Sequence, residues 1–465
     1  MSTKTVQEGL HDRLTALLSE ADDQRLAAKL SGVRAADIAE SFDLLSDEAR
    51  SRVLFALSSR TAAEVVVMLD EAVRGDVVDD LDTKSLTEIV SEMSPDDAAD
   101  ILSELSKAEA GQILEQMPDS KKSDTIEELL AYGEETAGGI MTPEVVALPT
   151  DATVADAVRS IRRAPQDEDL HEVYVLDADR RLFGYVPLRR LVTHAPDTKL
   201  ETIAERDPVV VSATDDQETV IQVIRKYDVM EAAVIDSEGR LLGRITHDDL
   251  LDVAEEEAVE DLFRLAGTEM AELETSSVLH AARIRLTWLI PCMAGMMITA
   301  FVLVVSEARF EPALFLALAP FVPLIGAIGG NSGVQISTVI VRGFATGDLG
   351  STKLVRALAR EGRIALAMAP VCGLVAWGLV TLFLPFFGEH TAHHAEPPGL
   401  QGVAVAVGSA MTVAILVAAF LGIALPFTFR RLSVDPAIAS GPLVTTLNDV
   451  TSVTIYMLIA MLIVT

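Results

Sequence analysis

The chain has 465 residues, half of them hydrophobic, with 70 acidic and 37 basic side chains and a net charge of −33. Residues 1–280 hold 62 acidic and 27 basic side chains, whereas residues 281–465 hold 8 and 10. Because such an acidic first part repels nucleic acid and attracts cations, we expect no nucleic-acid partner. The alternative is that the acidity only keeps this part soluble. The length allows two or three domains with full cores.

A twelve-residue repeat runs through the first part of the chain. From Leu45 to Leu129 an apolar residue returns at every twelfth position, and polar segments such as Ser94-Pro95-Asp96-Asp97 follow several of them. Such segments are typical of helix N-termini, and twelve residues hold one short helix and a turn. The pattern predicts an α-helical superhelix over residues 1–130. Because the N-terminus has no apolar run, we expect no signal peptide and a cytoplasmic location for the acidic part.

A second repeat follows, in which residues 175–184 match residues 234–243. Each copy has an apolar run, a polar turn and a second apolar run, as in a β-hairpin, and a helical stretch precedes it. This pattern resembles a pair of cystathionine-β-synthase-type (CBS) α+β domains, at 131–200 and 201–253. The resemblance implies regulatory modules that frequently bind nucleotides, which makes ATP a candidate ligand. The candidate phosphate-binding residues are Arg162, Arg163, Arg189 and Arg190.

Acidic residues crowd the segment that leads from the second copy towards the apolar part. On a helix, Asp249, Asp252 and Glu256 fall on one side, with Glu257 and residues 260–261 nearby. Like charges at this density destabilise a helix unless cations neutralise them. A solvated face would explain the pattern equally well. Because residues 254–284 lead directly into the first apolar segment, we predict that they form a connecting helix that acts as a gate.

Five apolar segments are long enough to cross a bilayer, which predicts an all-α five-helix transmembrane domain over residues 285–465. Basic residues flank the first, second and fourth segments on one side, so the positive-inside rule predicts a cytoplasmic N-terminus and a C-terminus outside the cell membrane. Metal binding and a flexible polar loop both explain the histidines expected outside, at 390, 393 and 394. The segments run approximately from Leu286 to Val305, Pro312 to Val341, Ile364 to Phe387, Val403 to Phe429, and Ala437 to Val464.

Two of these segments carry polar or very small residues. Four of residues 326–333 in the second are glycine, and Asn331 lies among them, which indicates either close helix packing or a water-filled path. The fifth contains Asp435, Asp449 and several hydroxyl residues. Carboxylates are costly in a membrane, so an ion pathway is the default hypothesis. The alternative is that these polar groups form hydrogen bonds with one another between helices. Hard oxygen ligands favour Mg²⁺, Mn²⁺ or Ca²⁺, and an isolated carboxylate among small residues suits hydrated Mg²⁺.

The helical repeat, the CBS pair, the acidic helix and the five spans, in this order, resemble the MgtE family of Mg²⁺ channels. The most specific matches lie at residues 329–335, 435–437 and 445–451. The resemblance implies a homodimer with the pore on its two-fold axis, lined by Asn331, where Asp435 of both chains faces the hydrated ion. It also implies cytoplasmic Mg²⁺ sites that hold the pore shut when Mg²⁺ is plentiful. These fall on Asp96, Asp100, the backbone of Gly139, Asp216, Glu218, Asp228, Asp249, Asp252, Glu257, Glu260 and Asp261.

Several functions remain open at the level of sequence. The first candidate is a gated divalent-cation channel, which is selective for Mg²⁺ or also passes Mn²⁺ and Co²⁺. The second is a carrier coupled to Na⁺ or H⁺ through Asp449. A membrane-anchored nucleotide sensor without transport is disfavoured, because an anchor needs no buried carboxylates. We expect no enzyme, since the sequence shows no nucleophile–base pair, phosphate loop or metal-hydrolase spacing.

Overall fold

A computed structural model describes residues 23–42, 44–164, 170–270, 272, 277–345, 354–391, 400–432, 434–439 and 441–464. The chain divides into two compact units, Met1–Glu255 and Glu256–Thr465. The candidate outer-loop residues His393 and His394 lie outside the described residues, as does the side chain of His390.

The first unit begins with a stack of short helices. From Asp47 onward these helices start almost every twelve residues, as the sequence period predicts. The turns before several of these helices supply a polar cap: Ser58 accepts a hydrogen bond from the amide of Thr61, and Ser106 with Glu109 forms a capping box. The helices are α1 (Asp23–Leu30), α2 (Ala35–Phe42), α3 (Asp47–Ala56), α4 (Ser59–Val67), α5 (Glu71–Asp79), α6 (Thr83–Val90), α7 (Pro95–Ser103), α8 (Lys107–Gln116) and α9 (Ser120–Leu129).

Two three-stranded sheets with the same topology follow the stack. In each sheet a short strand pairs in parallel with the first strand of an antiparallel hairpin. Both predicted hairpins are therefore confirmed. The elements are β1 (Ala147–Pro149), α10 (Val154–Ile161), β2 (Glu172–Leu176), β3 (Leu182–Pro187), α11 (Leu188–Thr193), α12 (Leu200–Ile203), β4 (Val210–Ser212), α13 (Gln217–Tyr227), β5 (Glu231–Ile235), β6 (Leu241–Thr246) and α14 (His247–Ala266).

The helical stack and the second CBS copy share one hydrophobic core. It runs without interruption from Leu26 through the stack to Val211, Val234 and Val253 of the second copy. The first copy instead has a core of its own, centred on Val173, Val175 and Val186. The shared core holds the acidic start of α7 against the second copy, where several candidate cation ligands lie.

Five segments of the second unit are long and apolar enough to cross a membrane, with mean hydropathies between 1.8 and 2.4, as predicted. They are Val278–Glu307, Pro312–Ala345, Val355–Phe383, Gln401–Arg431 and Pro442–Val464. The helices are α15 (Val278–Glu307), α16 (Pro312–Leu318), α17 (Val322–Ala345), α18 (Leu354–Thr391), α19 (Leu400–Arg431) and α20 (Pro442–Val464), with 3₁₀ turns at Ala319–Phe321 and Pro436–Ala439.

Two boundaries differ from the sequence expectation. The fifth span begins at Pro442 rather than near Ala437, because Pro436–Ala439 forms a separate 3₁₀ turn and a proline is well placed in the first turn of a helix. The acidic helix α14 begins at His247 and ends at Ala266, where Gly267 takes a left-handed conformation with φ of 80°.

Candidate ion pathway and cation-sensing sites

Glycines of α17 face polar side chains of α20. A Cβ atom on Gly329 would lie 2.3 Å from the Ser452 hydroxyl, and one on Gly333 would lie 1.8 Å from the Asn448 amide nitrogen. Only glycine permits this separation, so the small residues of the second span serve close helix packing. These glycines pack against polar rather than apolar side chains. We call this contact between α17 and α20 the glycine–polar seam.

Asp449 lies at the same seam, half-buried in the described chain. Cβ atoms on Gly326 and Gly330 would lie 3.5 and 3.2 Å from its Oδ1 atom. Helix α20 contains no lysine or arginine that could neutralise this carboxylate from its own helix. Asn448, next to it, is 1% exposed, and neither atom of its amide has a hydrogen-bond partner in the described part of the chain. Such groups are costly when buried, which marks the seam as a candidate ion pathway.

Asp435 precedes α20, and both of its carboxylate oxygens are engaged within the second unit. Oδ1 accepts a hydrogen bond of 2.8 Å from the backbone amide of Ala437. Oδ2 accepts a charged hydrogen bond from Nη1 of Arg264 in the last turn of α14. The other terminal nitrogen of Arg264 pairs with Glu260 one turn earlier. The carboxylate predicted to face the ion is therefore bound to a side chain of the same protomer here.

The sequence did not lead us to Arg264, although one feature of the sequence pointed to it. It is the only lysine or arginine between His247 and Ala266, in a helix that carries eight acidic residues. Glu257 and Asp261 belong to the same end of this helix. Burial, followed by the charges of Asp435 and Glu257, raises the pKa of Asp261 to about 6. This end of the helix therefore carries more carboxylates than one arginine can neutralise.

Asn331 lies on the exposed face of α17, together with Gln335 and Val339 on successive turns. This face points away from the other helices of its own unit, whereas the glycine face points towards α20. Two amide side chains on an apolar span would be costly against lipid. The arrangement is consistent with a pore-lining or partner-covered face.

Two aspartates at the start of α7 meet the CBS region. The hydroxyl of Thr142 donates a hydrogen bond to Oδ2 of Asp96, whose Oδ1 is buried with no hydrogen-bond partner in the described residues. Burial, together with the charges of Asp96 and Asp249, raises the pKa of Asp97 to about 6. Asp249 itself accepts a hydrogen bond from the Thr246 hydroxyl. Three carboxylates therefore influence one another here, and Asp97 was not among the predicted ligands.

Three other predicted ligands of the first unit hold positions that fix the backbone. Asp216 caps α13 by accepting from the amide of Glu218 at 2.9 Å, and Asp228 ends that helix in a left-handed conformation. Gly139 sits so close to Gly133 that a Cβ atom would lie 2.3 Å from its carbonyl oxygen. Asp100 and Asp252 are exposed on α7 and α14.

The described residues do not bring the predicted cation ligands together. Across the described ranges, no group of three or more His, Cys, Asp or Glu side chains comes together in a way that could hold a metal ion. Asp249 and Asp252 belong to the first unit, and Glu257, Glu260 and Asp261 to the second. The predicted cytoplasmic Mg²⁺ sites therefore stay predictions.

The glycine–polar seam makes a testable prediction about stability. We expect Gly333→Ala to lower the free energy of unfolding by about 1–3 kcal/mol, because the added methyl group overlaps the Asn448 amide. Gly378→Ala is the matched control, since no atom lies within 4 Å of a Cβ placed there. Thermal unfolding of both variants in detergent tests this, and equal melting temperatures would contradict the tight packing.

Comparisons with known proteins cover most of the chain. Family models match the MgtE intracellular N domain at residues 33–135, the CBS domain at 137–197 and 200–256, and MgtE, a divalent cation transporter, at 322–459. The chain is 36% identical over 347 residues to the magnesium transporter MgtE of Thermus thermophilus, covering 72% of each chain. It is 31% identical over 342 residues to the magnesium transporter MgtE of Bacillus subtilis, covering 73% of this chain and 72% of that protein.

A solved structure agrees with these matches. The cytosolic domain of the Mg²⁺ channel MgtE in complex with ATP is similar to this chain with a TM-score of 0.50 and 35% sequence identity, covering 52% of this chain and 99% of that one. Identity above 30% over more than two thirds of the length, with all three family models in the expected order, leads to one conclusion: the chain belongs to the MgtE family of magnesium transporters.

Proposed function

We propose that the chain forms a Mg²⁺-selective channel of the cell membrane, gated by Mg²⁺ that binds between its acidic cytoplasmic domains. The observation that supports this most is the glycine–polar seam. A span that only anchored a protein would not carry Asp449 against bare glycine backbone, on a helix without a basic residue. Asp435 then stands at the cytoplasmic mouth of the pathway and Asp449 within the span.

The pathway is completed by a second copy of the chain. One protomer leaves Asn331 and Gln335 on an exposed face of an apolar span. A two-fold partner that covers this face would remove the amides from lipid and line a shared path with oxygen atoms. Oxygen ligands on small side chains leave room for Mg²⁺ with most of its water, which it releases reluctantly.

Closure is driven by charge in the cytoplasmic part. Bare carboxylates repel one another, and two unit charges 4 Å apart at an effective dielectric constant of 20 interact by about 4 kcal/mol. A bound Mg²⁺ reverses the sign of this interaction. High cytoplasmic Mg²⁺ therefore selects the closed arrangement, and several modest sites must act together to shift the population.

ATP is a second candidate regulator, supported by the ATP complex of the related cytosolic domain. In the first CBS copy, Arg162, Arg163 and Arg189 are exposed, while Arg190 pairs with Glu205 at 2.8 Å. Arg163 also lines an open cavity of about 410 Å³ beside α10.

The soluble part lies in the cytoplasm and the C-terminus outside, as the basic flanks of the spans indicate.

An ion-coupled carrier is the alternative, and Asp449 favours it because a carboxylate in a span is also a suitable Na⁺ or proton site. Purified protein in vesicles distinguishes the candidates. Channel-type flux of Mg²⁺ that persists without a Na⁺ or proton gradient, and that exceeds flux of Mn²⁺, Co²⁺ and Ca²⁺, is the expected result. Flux that stops when the gradients are removed would replace the channel with a carrier.

Asp435→Asn tests the cytoplasmic mouth at nearly constant shape. We expect Mg²⁺ uptake to fall several-fold at low cytoplasmic Mg²⁺, because the amide attracts a hydrated cation less strongly than the carboxylate does. Uptake is measured in Mg²⁺-deficient cells with the membrane level of the protein matched to the parent. Uptake equal to that of the parent would remove Asp435 from the conducting pathway.

A further inference from the structure

Three arginines share one exposed face of α18, at the end of the third span that the basic flanks place in the cytoplasm. Arg356, Arg360 and Arg363 follow one another at intervals of four and three residues, which puts them on successive turns of one side of the helix. All three are exposed. We propose that this arginine face binds the phosphate of an anionic phospholipid in the cytoplasmic leaflet. The proposal rests on the membrane orientation given above and is independent of which ion the protein transports.

Packing of α18 fixes the direction in which the arginine face points. Every fourth residue from 357 to 369 is buried. Two of them, Ala357 and Ala365, belong to a hydrophobic cluster with Ile340 of α17 and Ile423 of α19. At 3.6 residues per turn, the three arginines lie on the side roughly opposite to this buried line. The face therefore points away from the helices on which α18 packs.

The arginine face carries more positive than negative charge. Glu361 is the only acidic residue between Leu354 and Gly388, and it lies on the buried side, 6% exposed. Its Oε1 atom is 3.8 Å from Nη1 of Arg360, which is too long for a hydrogen bond. Within the described part of the chain, Arg356 and Arg363 form no ion pair with a carboxylate. An anionic ligand would supply the missing negative charge.

A neighbouring arginine of the same membrane side is placed differently. The guanidinium carbon of Arg430, at the end of α19, lies 4.5 Å from the centre of the Phe344 ring, and this ring packs edge-on against Phe427. Arg430 is thus held by aromatic side chains of its own unit. The positive-inside rule explains why basic residues collect on this side, but it does not explain why three of them share one face of α18.

The same side of α18 becomes apolar farther into the span. Ala367, Val371 and Leu374 continue the line of the arginines along the helix, and Val371 and Leu374 are 61% and 67% exposed. At a rise of 1.5 Å per residue, Val371 lies about 12 Å beyond Arg363. Arginines at one level and exposed apolar side chains at the next match the phosphate and the acyl chains of one phospholipid. Guanidinium groups bind phosphate through two parallel hydrogen bonds.

Charge favours an anionic lipid over two other occupants. A two-fold contact between copies of the chain through this face would bring the arginines of both protomers together, and like charges repel. A zwitterionic headgroup would add a quaternary ammonium group for which the face has no carboxylate. An anionic headgroup adds only negative charge, and the cytoplasmic leaflet supplies such lipids.

The first test places a fluorophore below the arginine face. The chain has two tryptophans, so Val371→Trp with Trp288→Phe and Trp377→Phe gives a single reporter. In mixed vesicles of phosphatidylglycerol and phosphatidylcholine, bromine atoms on the acyl chains of one lipid quench the reporter when that lipid is its neighbour. We expect phosphatidylglycerol to bind at this position about fivefold or more tightly than phosphatidylcholine, since each arginine near an anionic surface contributes about fivefold.

Neutral variants of the reporter protein test the arginines themselves. Replacing Arg356, Arg360 and Arg363 by glutamine should bring the ratio of the two binding constants close to one. Glutamine at Arg25, Arg34 and Arg225, which are exposed in the first unit, changes the net charge equally and should leave the ratio unchanged. An unchanged ratio in the first variant would overturn the proposal. So would equal quenching by both lipids in the parent, or quenching by neither, which would show that protein covers the face.

A second test distinguishes a lipid headgroup from free phosphate. Thermal unfolding of the full chain in detergent is followed while phosphatidylglycerol or inorganic phosphate is added. A ligand of the folded state raises the melting temperature. We expect phosphatidylglycerol to stabilise the parent more than the triple glutamine variant, less so at high salt, and inorganic phosphate at the same concentration to have no such effect. Equal stabilisation of both proteins by the lipid, or of the parent by lipid and phosphate alike, would contradict a phospholipid site.

Discussion

Replacing Asp449 by asparagine is expected to reduce Mg²⁺ uptake about 10- to 100-fold with the protein still folded and in the membrane. Hydrogen bonds to a charged group contribute about 1.5–3 kcal/mol, and each 1.4 kcal/mol corresponds to a factor of ten. Asp449 faces Gly326 and Gly330, so asparagine fits the same space and removes only the charge. Asp449→Ala should be at least as severe.

The control for Asp449 is Glu311→Gln, which removes a carboxylate from the exposed cap of α16, away from the seam. It should transport like the parent. Uptake, surface level and thermal unfolding are measured for all three variants. Normal uptake by Asp449→Asn would show that the carboxylate is a packing element of the seam, and the pathway would have to be sought elsewhere.

Neutralising Asp249, Asp252, Glu257 and Glu260 together is expected to give a channel that conducts but no longer closes at high cytoplasmic Mg²⁺. Under the proposed gating, the change removes both the repulsion among these carboxylates and the oxygen ligands that would bind Mg²⁺. The protease sensitivity of the soluble part provides an independent measurement. We expect Mg²⁺ to protect the parent from cleavage and not to protect the quadruple variant.

A matched variant separates gating from a general effect of charge. Glu64, Glu88, Glu115 and Glu127 are exposed on the helical stack, and their replacement by glutamine changes the net charge by the same amount. This control should close at the parent's Mg²⁺ concentration. If the quadruple variant of α14 also closes there, its carboxylates form only a solvated acidic face, which was the alternative that the sequence left open.

Much of the fold could be predicted because its signals are local. A period of twelve residues predicts one capped helix per repeat, and Ser58 and Ser106 do cap the helices that follow them. The separation between the two CBS copies predicts two equivalent hairpins, and both exist. Length and hydropathy are sufficient to identify the five spans.

The contacts that matter most for the site could not be predicted in this way. Arg264 and Asp435 are 171 residues apart, and Asp96 and Thr142 are 46 apart, so no local pattern relates them. The glycines of the second span indicated close packing or a water path, but only the structure pairs Gly333 with Asn448. A single arginine in an acidic helix is a weak signal until its partner is known.

The central claim is that the acidic part of the chain senses Mg²⁺ and closes a pore for the same ion. It is tested most directly by Mg²⁺ flux through purified protein in vesicles, with Mg²⁺ varied only on the side of the soluble part while the driving gradient is held constant. The predicted result is high flux at low Mg²⁺ that falls steeply as Mg²⁺ on this side rises. Flux that is absent at every concentration, or that is independent of Mg²⁺ on the soluble side, would contradict it.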